Sequence, residues 1–236
     1  MKKLIIASTS TIHGSGYLEY LLPTLTTFFV DVKTVLFIPY ARPGGISYNE
    51  YTKIAEKAFA KINIGVTGIH QFENPKEAIQ KAEAIFTGGG NTFELVNKLY
   101  KNDIISALKQ ALETGTPYLG TSAGSNICGV NMKNTNDMPI VYPPSFTTLG
   151  IIPFNINAHF LDPIQGSKHM GETRETRIKE FHVFNEVAVL GLREGSWLEV
   201  FGDNISLKGK HTARLFQQNL EAIELEKGSL KWEAGK

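Results

Sequence analysis

The sequence predicts an α/β fold built on a doubly wound, mostly parallel sheet, with a smaller antiparallel part toward the carboxyl terminus. Two observations carry this prediction. Over the first half of the chain, short apolar runs rich in β-branched residues alternate with segments of helical periodicity, which is typical of parallel strands covered by helices on both faces. Later in the chain, glycine-containing turns separate strand-like runs, which favours antiparallel pairing.

The parallel part is predicted from runs short and apolar enough to be strands buried on both faces. These runs are residues 4–7, 35–39, 66–69, 84–87 and 117–120. Helical spacing is found between them, over residues 17–29, 48–62, 75–81, 92–100 and 103–114. Right-handed crossovers bring the carboxyl ends of such strands to one edge of the sheet, where functional groups collect in the loops that lead into helices.

After residue 122 the pattern changes. A stretch rich in asparagine and proline is followed by strand-like runs around one polar helix and then by runs separated by turns. In chain order, these segments are 131–144, the strands 150–160 and 187–199 around the helix 172–184, and the strands 198–201, 205–207, 213–216 and 222–225. We expect one domain over residues 1–236, with a flexible tail over about 228–236.

Composition narrows the class of protein. The 236 residues are 42% hydrophobic and carry 24 basic and 23 acidic side chains, which indicates one compact domain with a large core. A net charge of +1 and the lack of a lysine- or arginine-rich run argue against nucleic acid as a partner. No apolar run reaches the roughly 18 residues typical of a membrane span, so we expect no membrane association.

Two further features bear on the compartment. The apolar run at residues 4–7 ends at Ser8, which is too short for the core of a signal peptide, so we interpret it as the first buried strand. Cys128 is the one cysteine of the chain. An intramolecular disulfide is therefore excluded, and a reducing cytoplasm is the expected location.

A serine between two glycines is the most informative short motif. Ser122 lies in the segment 120–124 (GTSAG), directly after the predicted strand. A strand-to-helix turn with a strained central residue leaves no room for neighbouring side chains. The hydroxyl then projects beside N–H groups at the helix start, which stabilise a developing oxyanion. The motif indicates acyl transfer, and a plain turn is the alternative, because so short a pattern also arises by chance.

Three consecutive glycines, residues 88–90, follow the predicted strand 84–87. Glycines let a backbone approach a ligand closely, and Asn91 followed by Glu94 is typical of a helix amino-terminal cap. The loop can therefore direct N–H groups at an anion. A phosphate or dinucleotide cradle is disfavoured because neither G-x-G-x-x-G nor a Gly-Lys-Ser/Thr ending is present. A structural turn without chemistry is the other interpretation.

A serine nucleophile needs a base and an acid that orients the base. Of the six histidines, His159 ends the alternating segment 154–160, which predicts a position at a strand terminus. Glu194 and Asp137 are both candidate acids. From the pattern alone, His159 can equally be polar surface, and either acid can be a turn residue. The remaining histidines, which have no companion motif, are His13, His70, His169, His182 and His211.

Taken together, six spaced segments resemble peptidase E, the aspartyl dipeptidase family. They occur in family order and span most of the chain, which is far more specific than one motif. The segments are 88–93 (GGGNTF), 120–126 (GTSAGSN), 135–141 (TNDMPIV), 157–160 (NAHF), 171–175 (GETRE) and 194–197 (EGSW). The resemblance implies a cytoplasmic serine peptidase with a class I glutamine-amidotransferase-like fold that cleaves dipeptides beginning with aspartate, without metal or cofactor.

The resemblance also implies a role for each residue of the site. Ser122 matches the nucleophile, His159 the general base and Glu194 the acid that orients it. The backbone N–H groups of Gly90 and Ala123 match the oxyanion hole. The order serine, histidine, acid differs from that of the usual α/β-hydrolases, so their fold is not required.

Three further residues are candidates for substrate binding. A guanidinium such as that of Arg174 can hold a short carboxylate with two parallel hydrogen bonds, although mixed-charge helices are usually solvated surface. Asn91 is a second candidate contact. Asp137 lies beside the site by the resemblance, where it can anchor the substrate's amino group or support His159.

Small peptides that begin with aspartate are the substrates that the resemblance implies.

Three other functions are compatible with the sequence. A related serine hydrolase can act on isoaspartyl, cyanophycin-like or amide substrates. A non-enzymatic protein can instead use the 88–90 turn to bind a phosphate or nucleotide. A purely structural role is disfavoured, because it leaves the six spaced segments unexplained.

Overall fold

The protein is described here by a computed structural model that covers residues 1–163 and 171–230; His169, one of the histidines considered above, lies outside this part. In chain order, the strands are β1 (Lys3–Ala7), β2 (Thr34–Ile38), β3 (Gly65–Gly68), β4 (Ala84–Thr87), β5 (Tyr118–Thr121), β6 (Asn155–Ala158), β7 (Val189–Leu192), β8 (Ser196–Phe201), β9 (Asn204–Gly209), β10 (Ala213–Phe216), β11 (Ile223–Leu225) and β12 (Gly228–Leu230).

Helices connect the first five strands. They are α1 (Leu22–Phe28), α2 (Tyr48–Phe59), α3 (Pro75–Lys81), α4 (Thr92–Lys101) and α5 (Ile105–Thr114), while α6 (Ala123–Asn126) follows β5 and α7 (Arg174–His182) follows β6. In the part of the chain that the structure covers, no helix has the length and apolar composition needed to cross a membrane.

The main sheet has eight strands in the order β12-β9-β8-β1-β5-β4-β2-β3. The five strands from β1 to β3 in this order pair in parallel. The prediction of a doubly wound, mostly parallel sheet is confirmed. On the other side of β1, strands β8, β9 and β12 pair antiparallel. Strand β1 is therefore the boundary between the two kinds of pairing.

A second, smaller sheet has the order β11-β10-β7-β6. The predicted antiparallel pairing toward the carboxyl terminus is confirmed, since β10 pairs antiparallel with β7 and β11. The antiparallel strands are divided between the two sheets. Strand β6 pairs in parallel with β7, with Ala158 opposite Leu192. The reason is that β6 and β7 are joined by the segment that contains α7, which is long enough for a crossover connection.

The core lies on both faces of the main sheet. Along β1, Leu4 and Ile6 belong to one buried cluster, whereas Ile5 and Ala7 belong to another. Because successive side chains of a strand point to opposite faces, the two clusters lie on opposite sides. This explains the continuous apolar runs of β1, β2, β4 and β5, which have no solvated face.

Side-chain caps fix the starts of several helices. Ser47 and Glu50 form a reciprocal capping box at the start of α2. The side chain of Asn74 accepts a hydrogen bond from the N–H of Glu77 at α3. Such caps satisfy N–H groups that have no partner inside the helix, so these boundaries are local properties of the sequence.

Three predicted boundaries were wrong for local reasons. The helix expected over 17–29 begins only after Leu18, whose backbone is left-handed with φ 57°, and its first residues, Glu19–Leu21, form a 3-10 turn that leads into α1. The strand expected over 150–160 ends at Ala158, because His159 has φ 55°. The run 187–199 is split into β7 and β8 by a turn in which Gly195 has φ 81°.

The tail expected over about 228–236 is also corrected at its start. Residues Gly228–Leu230 form β12, and Leu230 pairs opposite Ile205 of β9. The hydrogen bonds of this edge strand order a segment that its small and polar residues did not predict. Residues 231–236 lie outside the described part, and the single domain over 1–236 stays a prediction.

Replacing Phe86 in β4 tests the account of the core. Phe86 is fully buried, and its ring lies 4.8 Å from that of Phe37 between centroids. We expect Phe86→Ala to lower the free energy of unfolding by about 3–5 kcal/mol, because it leaves a cavity. Phe184→Ala is the control, since Phe184 is 89% exposed. Equal effects of the two changes in urea-induced unfolding would contradict this account.

Candidate active site

Ser122 lies in the sharp turn between β5 and α6. Its backbone has φ 54° and ψ −112°, outside the regions favoured for residues with a side chain. Such a conformation costs about 1–3 kcal/mol. The turn is held by its own hydrogen bonds: the N–H of Ser122 donates to Ala7 at 3.2 Å, and its carbonyl accepts from Ser125 and Asn126 at 2.9 Å. The strained turn predicted from the motif is confirmed.

The two glycines of the motif are required by contact. A Cβ atom at Gly124 would overlap the carbonyl oxygen of Thr87, at the end of β4. A Cβ atom at Gly120 would lie 2.5 Å from the carbonyl oxygen of Gly124. Any larger residue at either position must therefore displace the backbone that holds Ser122.

His159 reaches Ser122 from the second sheet. It follows the last residue of β6, as the alternating pattern predicted. Its Nε2 lies 2.9 Å from Ser122 Oγ. Its backbone N–H donates to Ser8 Oγ at 2.9 Å, and that hydroxyl donates to the carbonyl of Leu192 at 2.7 Å. Ser8 therefore ties the end of β1 to the ends of β6 and β7.

Glu194 is hydrogen-bonded to His159, which is hydrogen-bonded in turn to Ser122. It lies in the turn between β7 and β8, and its Oε1 is 2.6 Å from His159 Nδ1. This geometry assigns the Nδ1 proton to the bond with Glu194, which leaves Nε2 to accept the proton of Ser122. The side chains of His159 and Glu194 are 38% and 49% exposed, so a substrate can reach these hydrogen-bonded side chains from solvent.

Arg193 stabilises the two segments that carry His159 and Glu194. Its Nε and Nη2 donate to the two carboxylate oxygens of Asp162, both at 2.7 Å, and it also pairs with Glu224. These hydrogen bonds raise the pKa of Arg193 and lower that of Asp162. Asp162 follows His159 by three residues, and Arg193 precedes Glu194. The ion pair between Asp162 and Arg193 therefore restrains the segments that carry His159 and Glu194.

The 88–90 turn lies beside the serine. A Cβ atom at Gly89 would lie 2.9 Å from Ser122 Cβ and 3.5 Å from its Oγ. Gly90 has φ 143°, and a Cβ atom there would overlap the carbonyl oxygen of Ala41. Ala123 is the first residue of α6, where N–H groups lack partners within the helix. Both predicted donor residues thus belong to turns that adjoin Ser122.

Asp137 and Asn91 both hold the start of α4. Asp137 Oδ2 accepts from the N–H of Thr92 at 2.7 Å. Asn91 Oδ1 accepts from the N–H of Glu94 at 3.0 Å, and its Nδ2 donates to the carbonyl of Met138 at 2.9 Å. The carboxylate that pairs with His159 is that of Glu194 and not that of Asp137. A contact of Asn91 or Asp137 with substrate stays a prediction.

Arg174 is the first residue of α7 and is half-buried. Burial and the charge of Arg177 lower its pKa, while the negative charge of Asp137 acts in the opposite direction. Within residues 1–163 and 171–230, its guanidinium forms no ion pair, whereas Arg177 on the same helix pairs with Glu172. A charged guanidinium near Asp137 is therefore available to an external carboxylate.

The sequence did not identify Asn126 as a member of the site, although it lies in the quoted segment 120–126. Its Nδ2 donates to the hydroxyl oxygens of Thr92 and Thr135, and its Oδ1 accepts from the N–H of Ala158 at 3.3 Å. The asparagine-rich stretch after residue 130 was a second signal, since Asn134 Nδ2 donates to the carbonyl of Ile156. Together these amides hold β6 against the turn of Ser122.

Within the described ranges, no three side chains of histidine, cysteine, aspartate or glutamate form a group able to hold a metal ion. The chemistry that the geometry supports is proton transfer between Ser122 Oγ and His159 Nε2, with Glu194 orienting the imidazole.

Replacing Gly124 tests the packing of the serine turn. We expect Gly124→Ala to lower the free energy of unfolding by about 1–3 kcal/mol, because the new methyl group displaces backbone. Gly44→Ala is the matched control, since nothing lies within 4 Å of a Cβ atom there, and its effect should stay below about 0.5 kcal/mol. Chemical denaturation measures both, and a tolerated Gly124→Ala would refute the close approach to Thr87.

Comparisons with known proteins agree over nearly the whole chain. A relative from Streptomyces coelicolor named peptidase E is 47% identical over 226 residues, which are 96% of this chain and 92% of that protein. A Drosophila melanogaster protein named "Probable alpha-aspartyl dipeptidase" is 42% identical over 227 residues, which are 95% of this chain and 93% of that protein.

A solved structure shows the same fold. It is that of a peptidase from an acI-B1 Actinobacterium, which has a TM-score of 0.71 at 16% sequence identity and covers 98% of this chain and 97% of its own. Residues 4–208 match the family described as peptidase family S51. The chain therefore belongs to peptidase family S51.

Proposed function

We propose that this chain is a serine dipeptidase that hydrolyses the peptide bond after an amino-terminal aspartate. The observation that carries the proposal is a chain of two hydrogen bonds. His159 Nε2 lies 2.9 Å from Ser122 Oγ, and His159 Nδ1 lies 2.6 Å from Glu194 Oε1. Membership of peptidase family S51 and the names of the relatives support the substrate class.

The first half of the reaction forms an ester. Ser122 Oγ attacks the carbonyl carbon of the substrate aspartate while His159 Nε2 takes the hydroxyl proton. The imidazolium is stabilised by the carboxylate of Glu194. When the tetrahedral intermediate collapses, the carbon–nitrogen bond breaks, and the proton passes from His159 to the leaving amine. The aspartyl group then remains attached to Ser122.

The second half repeats these proton transfers with water. His159 takes a proton from the water that attacks the ester, and the proton returns to Ser122 Oγ when aspartate leaves. In both halves, the N–H groups of Gly90 and Ala123 stabilise the oxyanion. Such donors contribute more to the transition state than to the bound substrate, because the negative charge develops only there.

Recognition of the substrate uses opposite charges. An amino-terminal aspartate carries a carboxylate side chain and an ammonium group. We assign the carboxylate to Arg174, whose guanidinium is unpaired among the described residues, and the ammonium group to Asp137, whose charge acts on Arg174. Asn91 directly follows the 88–90 turn and donates to the carbonyl of Met138, and it is a further candidate contact for the substrate backbone.

We also propose that the reaction takes place in the cytoplasm. The single cysteine, Cys128, is buried and free, which is compatible with a reducing compartment. The substrates are small peptides, and the proposal includes no metal or cofactor.

Removal of the serine hydroxyl tests the nucleophile. We expect Ser122→Ala to lower kcat for an aspartyl dipeptide by about 10⁶-fold, since loss of a nucleophile in a serine peptidase has an effect of this size. Thermal unfolding should show that the variant is folded. Turnover within tenfold of the unchanged protein would remove Ser122 from this role.

Removal of the Arg174 guanidinium tests the specificity. We expect Arg174→Ala to lower kcat/KM for aspartyl dipeptides by about 10- to 150-fold, which corresponds to a lost charged hydrogen bond. Arg177→Ala is the matched control on the same helix, and it should leave kcat/KM unchanged. Rates would be compared for α-aspartyl, β-aspartyl, asparaginyl and glutamyl dipeptides. Equal losses on all of these substrates would exclude a side-chain contact, and a preference for β-aspartyl bonds would indicate an isoaspartyl hydrolase.

A further inference from the structure

Tyr51 is a buried polar residue that the mechanism has not used. It lies on α2 and is 1% exposed. Its hydroxyl donates a hydrogen bond to the carbonyl oxygen of Gly89 at 3.1 Å. Its ring also packs on the same turn, because a Cβ atom at Gly88 would lie 2.5 Å from the Tyr51 hydroxyl. The residue therefore contacts the turn that lies beside Ser122.

The acceptor of this hydrogen bond belongs to the peptide that carries the Gly90 N–H. A peptide unit is planar and trans, so its carbonyl and its N–H point in opposite directions. The contact between Tyr51 and the Gly89 oxygen therefore directs the Gly90 N–H away from α2. The orientation of one donor of the oxyanion hole thus depends on a hydroxyl that does not touch the substrate.

This peptide needs an external anchor because both residues that flank it are glycines. Without Cβ atoms, rotation of the plane meets little steric resistance. The turn is fixed at its two ends, where Gly88 N–H donates to the carbonyl of Ile38 at 3.2 Å and Asn91 N–H donates to that of Ala41 at 2.7 Å. Between these ends, the hydrogen bond from the Tyr51 hydroxyl restrains the peptide that joins Gly89 and Gly90.

A second tyrosine supports the first. The hydroxyl of Tyr17 donates to the hydroxyl of Tyr51 at 3.2 Å, which leaves the Tyr51 proton free to be donated to Gly89. Burial raises the pKa of Tyr17 well above its ordinary value, so Tyr17 stays a proton donor. Hydrogen bonds in such a chain polarise one another, and each strengthens the next.

We propose that Tyr51 is a positioning residue that aligns the Gly90 N–H for the transition state through its hydrogen bond to the Gly89 carbonyl, with Tyr17 in support. The proposal rests on the proposed function, because it assumes that Gly90 stabilises an oxyanion. It adds a residue of α2 to the determinants of the reaction rate.

The experiment compares Tyr51→Phe with Tyr48→Phe, a control on the same helix. Steady-state kinetics on an aspartyl dipeptide would be combined with two inhibition constants, one for an aspartyl aldehyde and one for aspartate. The aldehyde forms a tetrahedral adduct with a serine, whereas aspartate is a product without an oxyanion.

We expect Tyr51→Phe to lower kcat by about 10- to 100-fold, somewhat less than the loss of an oxyanion donor itself. The KM and the affinity for aspartate should change by less than about twofold, and the affinity for the aldehyde should fall by the same factor as kcat. Tyr48→Phe should match the unchanged protein. Tyr17→Phe should show a smaller loss of the same kind, and it keeps the test decisive if Tyr51→Phe does not fold.

Two results would overturn the inference: an unchanged kcat in Tyr51→Phe, or equal losses of affinity for the aldehyde and for aspartate, which indicate a merely structural role. Failure of the proposed function is seen separately, as a lack of aspartyl dipeptide hydrolysis by the unchanged protein. In that case the rate at which a fluorophosphonate labels Ser122 tests Tyr51 directly, because phosphonylation also develops negative charge on an oxygen. Equal labelling rates with and without the Tyr51 hydroxyl would then reject the inference.

Discussion

The strained backbone of Ser122 is the constraint on which the rest of the site depends. With φ at 54°, the residue projects its hydroxyl out of the junction between β5 and α6. The conformation persists only because the surrounding structure leaves no alternative. The carbonyl of Thr87 lies where a side chain at position 124 would extend, and the end of β1 accepts the Ser122 N–H. Parallel strands on both sides of β5 therefore supply the rigidity that the turn requires.

Two sheets supply the groups that act together. The serine and the 88–90 turn belong to the main sheet, whereas His159 follows a strand of the smaller sheet. A hydrogen bond of 2.9 Å between the serine and the imidazole demands a fixed distance between the sheets. Ser8 and Asn126 provide direct links, since both bond to the backbone at the end of β6. On the side of the smaller sheet, Arg193 forms ion pairs with Asp162 and Glu224 next to Glu194. Ser122, His159 and Glu194 are thus held in place before substrate binds, by the hydrogen bonds of Ser8 and Asn126 and by the ion pairs of Arg193.

Local features of the sequence predicted much of this arrangement. The serine turn, the glycine turn and the position of His159 at a strand end follow from sterics and periodicity within a few residues. The choice of Glu194 over Asp137 came from a resemblance spread over six segments. Ser8, Tyr51 and Arg193 were missed for a physical reason: their partners are distant in the chain, with His159 lying 151 positions after Ser8. The residues next to them in the sequence form no recognisable motif, so only the folded structure identifies them.

The most direct test of the central claim is an experimental structure of the protein with an aspartyl aldehyde. The account predicts a covalent bond between the aldehyde carbon and Ser122 Oγ. It also predicts that the adduct's oxygen lies within about 2.7–3.1 Å of the backbone nitrogens of Gly90 and Ala123, as in an oxyanion hole. An adduct on another residue, or an oxygen directed at solvent with neither N–H near it, would contradict the account.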